Sequence, residues 1–175
     1  MDVAPIQSER LELISMTPEF MEAVLAGDLS RAGELIGVEI PPDWPEEAER
    51  NLRLRLDQLR RNPALQPWLL RAIVVRGAER KFGGRINFHG APDAGGVVEI
   101  GYTVVPEHRG HGYATEATRA MFGWAQGTHG IQHFRASVSP HNAPSMAVVK
   151  KLGFVQTGVQ WDEEDGEELV FELTT

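Results

Sequence analysis

The chain has 175 residues, 42% hydrophobic and 24% charged, the make-up of an ordinary globular protein long enough to bury a core without disulfide or metal staples. Its 17 basic and 25 acidic side chains leave a formal charge of -8, which argues against nucleic acid and anionic membranes as partners. Cysteine is absent, excluding disulfide frameworks, cysteine-ligated zinc and thiol nucleophiles. No apolar run approaches the roughly 18 residues of a membrane span. Met1 to Arg10 also lacks a basic stretch followed by an apolar one, so the expectation is one cytoplasmic domain over residues 1–175.

Ser8 to Ile14 alternates polar and apolar residues and predicts a first strand. Thr17-Pro18 then starts a helix, with Thr17 as N-cap, Phe20, Val24 and Leu25 on one face and Gly27 closing it. Gly37 to Trp44, with Pro41-Pro42 inside, predicts a loop. A longer helix begins at Pro45, its apolar stripe formed by Ala48, Leu52, Leu56 and Leu59. The arginines at 50, 53, 55, 60 and 61 read as mostly a solvated face. Trp68 to Val75, Lys81 to Phe88 and Val97 to Val105 are three extended runs separated by glycine-containing turns, hence consecutive antiparallel hairpins. A helix follows over Tyr113 to Gln126, then a strand at Phe134 to Ser139, a helix at Ala143 to Leu152, and strands at Val155 to Val159 and Leu169 to Leu173. Between those last strands the acidic run Asp162 to Glu168 contains an Asp165-Gly166 hairpin signal and reads as a solvated loop.

The chemistry concentrates at Val104-Val105-Pro106-Glu107-His108-Arg109-Gly110-His111-Gly112-Tyr113-Ala114-Thr115. An apolar strand ends at a proline, a glycine-rich turn follows, and a helix starts at once. Such a turn leaves several N–H groups unpaired at the positive end of a helix dipole, an anion site suited to a pyrophosphate. It needs few basic side chains, which suits an acidic protein. The P-loop pattern fails because Tyr113-Ala114 follows Gly112, and the dinucleotide pattern fails at Thr115.

The window instead resembles the acyl-CoA loop Gln/Arg-x-x-Gly-x-Gly/Ala of the GNAT superfamily of N-acetyltransferases, met by Arg109, Gly112 and Ala114. Ser8-Glu9-Arg10-Leu11-Glu12-Leu13, Glu99-Ile100-Gly101-Tyr102, Gly112-Tyr113-Ala114-Thr115-Glu116-Ala117 and His141-Asn142-Ala143-Pro144-Ser145-Met146 to Lys151-Leu152-Gly153-Phe154 are similar to the RimJ/RimL-like branch of that family. The resemblance runs in order from about residue 8 to residue 173. It implies an α/β fold of the α+β kind, with a mixed, mostly antiparallel sheet splayed in the middle and helices on both faces.

It further implies transfer of acetyl from acetyl-CoA to a primary amine, either a protein N-terminus or a small amine, by direct attack and without a metal. Tyr102, Thr103 and Val104 fall where the family's strand backbone meets the pantetheine arm. Gly110, His111, Gly112, Tyr113, Ala114 and Thr115 fall with Arg109 on the pyrophosphate, and Asn142 on a cofactor contact that also suits a helix N-cap. The amide near Val104 is the implied oxyanion donor. Glu99, alternating out of an apolar strand face, is a candidate base whose pKa burial would raise, with His89 as an accessory. The family's acid is a tyrosine seven residues after the helix-start asparagine, where this chain has Val149; Ser145 is the candidate in its place. The acceptor site is expected from the early helices, the Gly37 to Trp44 loop and the late hairpin, with Trp44 and Trp161 lining it or simply packing. A non-catalytic acyl-CoA-binding module and transfer of a larger acyl group such as succinyl are the competing readings; a monomer or homodimer fits either. His108 and His111, and His129 and His133, show no recognisable metal spacing.

Overall fold

The computed structural model describes residues 3–163 and 166–175. Leu11 and Leu13 alternate inward along strand β2 (Leu11–Ser15), which pairs with the short β1 (Ile6–Gln7). Helix α1 (Pro18–Leu25) starts as its sequence dictates, with the Thr17 hydroxyl accepting the Phe20 N–H at 3.2 Å and Pro18 in the first turn. Next come helix α2 (Leu29–Ile36), α3 (Trp44–Arg61), and the strands β3 (Arg71–Val75), β4 (Lys81–Phe88) and β5 (Val97–Val104). The second half comprises α4 (Tyr113–His129), β6 (His133–Val138), α5 (Ala143–Leu152), β7 (Val155–Asp162) and β8 (Gly166–Thr174).

Among the described residues eight strands form one sheet in the order β1-β2-β3-β4-β5-β6-β8-β7, antiparallel except for β5 with β6. Alternation along the strands divides the apolar residues between two cores. Ile73, Ile86, Phe88, Val98, Ile100 and Phe134 pack against α4 and α5, whereas Ala72, Val74 and Phe82 pack against α1, α2 and α3. Helices therefore cover both faces of the mixed sheet. Among the described residues, no helix is long and apolar enough to cross a membrane.

Several elements depart from their sequence signals. Helix α2 is held by the Asp28 carboxylate on the Arg31 N–H and ends on a left-handed Gly37, but its Ser30 and Gly33 obscure it in sequence. Trp44 is the first residue of α3, not the end of a loop. The strand predicted from Trp68 begins only at Arg71, and β7 and β8 both run longer than their apolar signals. Glu164 and Asp165 of the acidic hairpin lie outside the described residues. The basic face of α3 is solvated at Arg53, Arg60 and Arg61, which pair with Glu49, Glu22 and Asp57. Arg55 breaks that pattern, being 6% exposed and turned toward the sheet.

Candidate active site

The parallel pairing of β5 and β6 lasts three positions, Val97 with His133, Val98 with Phe134 and Glu99 with Arg135. Beyond them β5 continues along β4 to Gly84–Val104, while β6 follows β8, and the two strands part. His89 donates its N–H to the Glu99 carbonyl at 2.8 Å and Val105 donates to Gly83 at 3.0 Å, so odd-numbered residues of this stretch hold β4. The main chains of Ile100, Tyr102 and Val104 consequently aim into the gap, and those of Gly101 and Thr103 do not. A cavity of 220 Å³ fills the gap, with Ile100, Gly101 and Tyr102 on one wall and Ser137, Asn142 and Ser145 among the residues opposite.

The turn after β5 meets the wide end of this gap. Gly110 and Gly112 have φ of 78° and 79°, left-handed values that open the turn and that side chains rarely adopt. Gly112 is the N-cap of α4 and offers no side-chain cap. Among the described residues, no backbone N–H from Gly110 to Thr115 is donated to any acceptor; the first helical bond comes from Glu116. Six donors stand free where the helix dipole is positive. Arg109 turns its Nε onto the Val104 carbonyl at 3.0 Å and so braces strand to turn.

The Ser8-Glu9-Arg10 signature has a physical reason here. Glu116 accepts from the Ser8 hydroxyl at 2.6 Å, the Arg10 N–H at 2.7 Å and the Arg10 Nε at 2.7 Å, while Arg10 also donates to the His111 carbonyl at 3.0 Å. The Arg10 guanidinium lies 4.8 Å from the centre of the Tyr113 ring, which His111 stacks on. Partial burial works against the Glu116 carboxylate, yet these hydrogen bonds hold its pKa below the usual value.

Within the gap, Asn142 caps α5 by accepting the Ser145 N–H at 3.1 Å, leaving its amide nitrogen free to donate. Val149, at the family's tyrosine position, is buried in the core. A phenol comes from elsewhere. Tyr102 projects from β5, its hydroxyl buried near Ser145 but without a hydrogen bond of good geometry; burial raises its pKa, and the approach of the Ser145 hydroxyl opposes the rise. Sequence assigned Tyr102 only a backbone role, and no local signal marks where its side chain ends.

The opposite face of β5 carries Glu99, and the wall it meets is polar, not apolar. The His89 Nδ1 lies 3.6 Å from the Glu99 carboxylate, and the same imidazole sits over Gly101, where an added Cβ would be 2.7 Å from its Nε2. Seating the ring against the sheet lowers its pKa, Arg55 and Arg85 push the same way, and Glu99 opposes them. Arg55 donates to the His89 carbonyl at 3.0 Å and to Gln58 at 2.9 Å.

The remaining candidates divide clearly. Trp44 packs on Phe20 and Phe82 in the core, whereas Trp161 is exposed on β7. His129 packs on Trp68 and Trp124, while His133 lies 3.1 Å from the Thr174 hydroxyl, so the two histidines serve different neighbours.

A sheet splayed beside a strand–glycine turn–helix unit defines the class of acyl-group transferases built on this architecture. The acetyltransferase (GNAT) domain matches residues 10–155, and the chain belongs to the GNAT family of acetyltransferases. It is 27% identical over 154 residues to the uncharacterized N-acetyltransferase YjdG of Bacillus subtilis, covering 86% of this chain and 89% of YjdG. Solved structures share the fold. The apo form of RimL, a ribosomal L7/L12 alpha-N-protein acetyltransferase, superposes with a TM-score of 0.68 at 16% identity, covering 100% of this chain and 96% of RimL. The microcin C7 self-immunity acetyltransferase MccE, solved with acetyl-CoA and AMP, gives 0.66 at 16% identity, with 96% and 94% covered.

Proposed function

We propose that the protein moves an acetyl group from acetyl-CoA to a primary amine by direct attack, with no covalent enzyme intermediate. The observation that carries this reading is the row of six undonated N–H groups from Gly110 to Thr115, in line with the unpaired edge of β5. The first suits a pyrophosphate and the second an amide-bearing arm. The acetyl-CoA in MccE and the CoA in one RimL structure lend support through the shared fold.

On this reading the arm pairs with Tyr102 and Val104, and the Asn142 amide donates to it. The amine gives its proton to the Glu99–His89 pair, its nitrogen attacks the thioester carbonyl, and the Val104 N–H takes the oxyanion. Collapse breaks the C–S bond. The departing thiolate receives a proton relayed through the Ser145 hydroxyl, which regains one from solvent, while the acylated nitrogen loses its extra proton to solvent; the Tyr102 phenol stands beside this relay.

Thermal shift with acetyl-CoA, followed by thiol release with a panel of amines including peptides with free N-termini, tests the proposal. Stabilisation with amine-dependent release is the expected result. Stabilisation without release for any amine favours an acyl-CoA-binding module. No stabilisation, or stabilisation undiminished in Gly112→Val, refutes the loop assignment. Running succinyl-CoA in parallel decides the acyl group.

A further inference from the structure

Between α3 and the β4–β5 face lies a cluster of polar side chains that the acetyl-transfer scheme uses only at its His89–Glu99 end. Glu47, Asn51 and Arg55 are spaced four residues apart and form one ridge of α3. Arg85, Asn87 and His89 alternate along β4 onto the same side, opposite Thr103, Gly101 and Glu99. Arg55 is 6% exposed. The Arg85 side chain makes no hydrogen bond among the described residues, and the Nε atoms of both arginines and the Asn51 Oδ1 are buried without partners. A natural interior leaves few such atoms, and here three gather around two guanidiniums.

The electrostatics agree with the geometry. Burial lowers the pKa of Arg55, and Arg85 lowers it further; Arg85 is lowered by burial too, with Glu47 opposing. Both guanidiniums also act on His89. Two like charges in a partly desolvated space repel, and neither has a hydrogen-bonded carboxylate to answer it. The planar fork of arginine is built to hold one.

The geometry points to an acceptor that carries a carboxylate close to its reacting amine, the carboxylate being held between Arg55 and Arg85 while the amine lies against Glu99 and His89. Glu47 already offsets part of the arginine charge, so a monoanion matches the remainder better than a phosphate dianion. A free amino acid supplies such a carboxylate through its main chain, and a peptide N-terminus supplies one through an acidic side chain close by. Polycationic amines do not fit, despite the acidic hairpin at the other end of the sheet.

This inference rests on the acetyl-transfer reading, and its test keeps the two separable. Acceptors are assayed in matched pairs with acetyl-CoA, each free amino acid against its amide, and each peptide with Asp or Glu at its second position against the Asn or Gln form. The acidic member of a pair should have at least a tenfold higher kcat/KM, and Arg85→Gln should bring that pair within twofold. The pairs that respond tell a main-chain carboxylate from a side-chain one. Equal or better turnover of the neutral members overturns the proposal, as does a preference that survives Arg85→Gln. So does a succinyl-CoA preference with neutral amines that Arg85→Gln abolishes, because the arginines would then read the acyl chain. If acetyl-CoA stabilises the protein but no amine reacts, transfer itself has failed. The CoA-saturated protein is then titrated by NMR with N-acetylglycine and N-acetylglycinamide. Binding of the acid alone, lost in Arg85→Gln, supports the site, and no difference between the two overturns it.

Discussion

Replacing Gly101 by alanine presses on one side chain only. The added Cβ falls 2.7 Å from the His89 Nε2, while its next neighbours, the His89 Cδ2 and the Asn87 Oδ1, are at 3.5 and 3.8 Å. Gly101 has no left-handed φ, so the backbone accepts alanine without strain. The imidazole must therefore retreat by about 0.7 Å to reach the 3.4 Å of ordinary contact. Its side chain is 47% exposed and has room to do so. The stability cost should stay under about 1 kcal/mol, a fall in Tm of no more than about 4 °C for a chain of this size. Turnover should fall by about ten- to a hundredfold, the price of moving a proton acceptor by a fraction of a bond length. Steady-state kinetics, a melting curve and a CoA titration measure the three quantities, and CoA affinity should change less than twofold. Undiminished turnover would show that His89 takes no part in the reaction; a collapse in Tm would show that the imidazole does not yield. Gly84→Ala is the contrasting control. Its φ is 136° and its Cβ would strike the Thr103 carbonyl, a rigid main-chain atom, so the protein should fail to fold or lose about 3 kcal/mol or more.

Other expectations follow from the same geometry. The acid limb of kcat/KM should lie below pH 6.5, because burial and the Arg55 and Arg85 charges depress the His89 pKa; Glu99 alone among these neighbours raises it, so Glu99→Gln should move the limb to lower pH as well as slow the reaction. A limb that rises or stays fixed in that variant contradicts the pairing. Tyr102→Phe removes a buried hydroxyl that has Ser145 close by but no hydrogen bond of good geometry, so Tm should change little while kcat falls about tenfold; a stability loss above about 1 kcal/mol would mean Ser145 bonds it firmly. Arg10→Ala should weaken CoA binding by about tenfold with a small change in Tm, since a half-exposed ion pair adds little stability but this one fixes the turn. Unchanged affinity would assign the pair to folding alone.

What sequence revealed and what it hid follow from the range of the interactions. The strand–turn–helix unit is legible because Gly110 and Gly112 answer a local backbone demand, and Asn142 is legible as a cap for the same reason. The parting of β5 from β6 came through resemblance to a family, since no residue within either strand states it. The meeting of His89 with Glu99 depends on the register of a hairpin whose strands are separated by the 89–96 segment, and alternation alone does not fix that register. Arg55 was hidden by its company. It stands among arginines that do face solvent, and only the packing of α3 on the sheet turns it inward. The phenol of Tyr102 stands near Ser145 although no tyrosine occupies position 149, because side chains from different elements reach the same point in space.

The gap between β5 and β6 leaves a break in the ladder of main-chain hydrogen bonds. On the proposed reading the substrate arm mends that break, serving as a removable length of strand. Any ligand bound only by the folded form adds stability in proportion to the logarithm of its concentration, about 2.7 kcal/mol at a hundred times its dissociation constant. On that reading the resistance of this sheet to opening follows the concentration of the donor itself, so the same main-chain groups that bind the substrate also set how firmly the two halves of the sheet hold together.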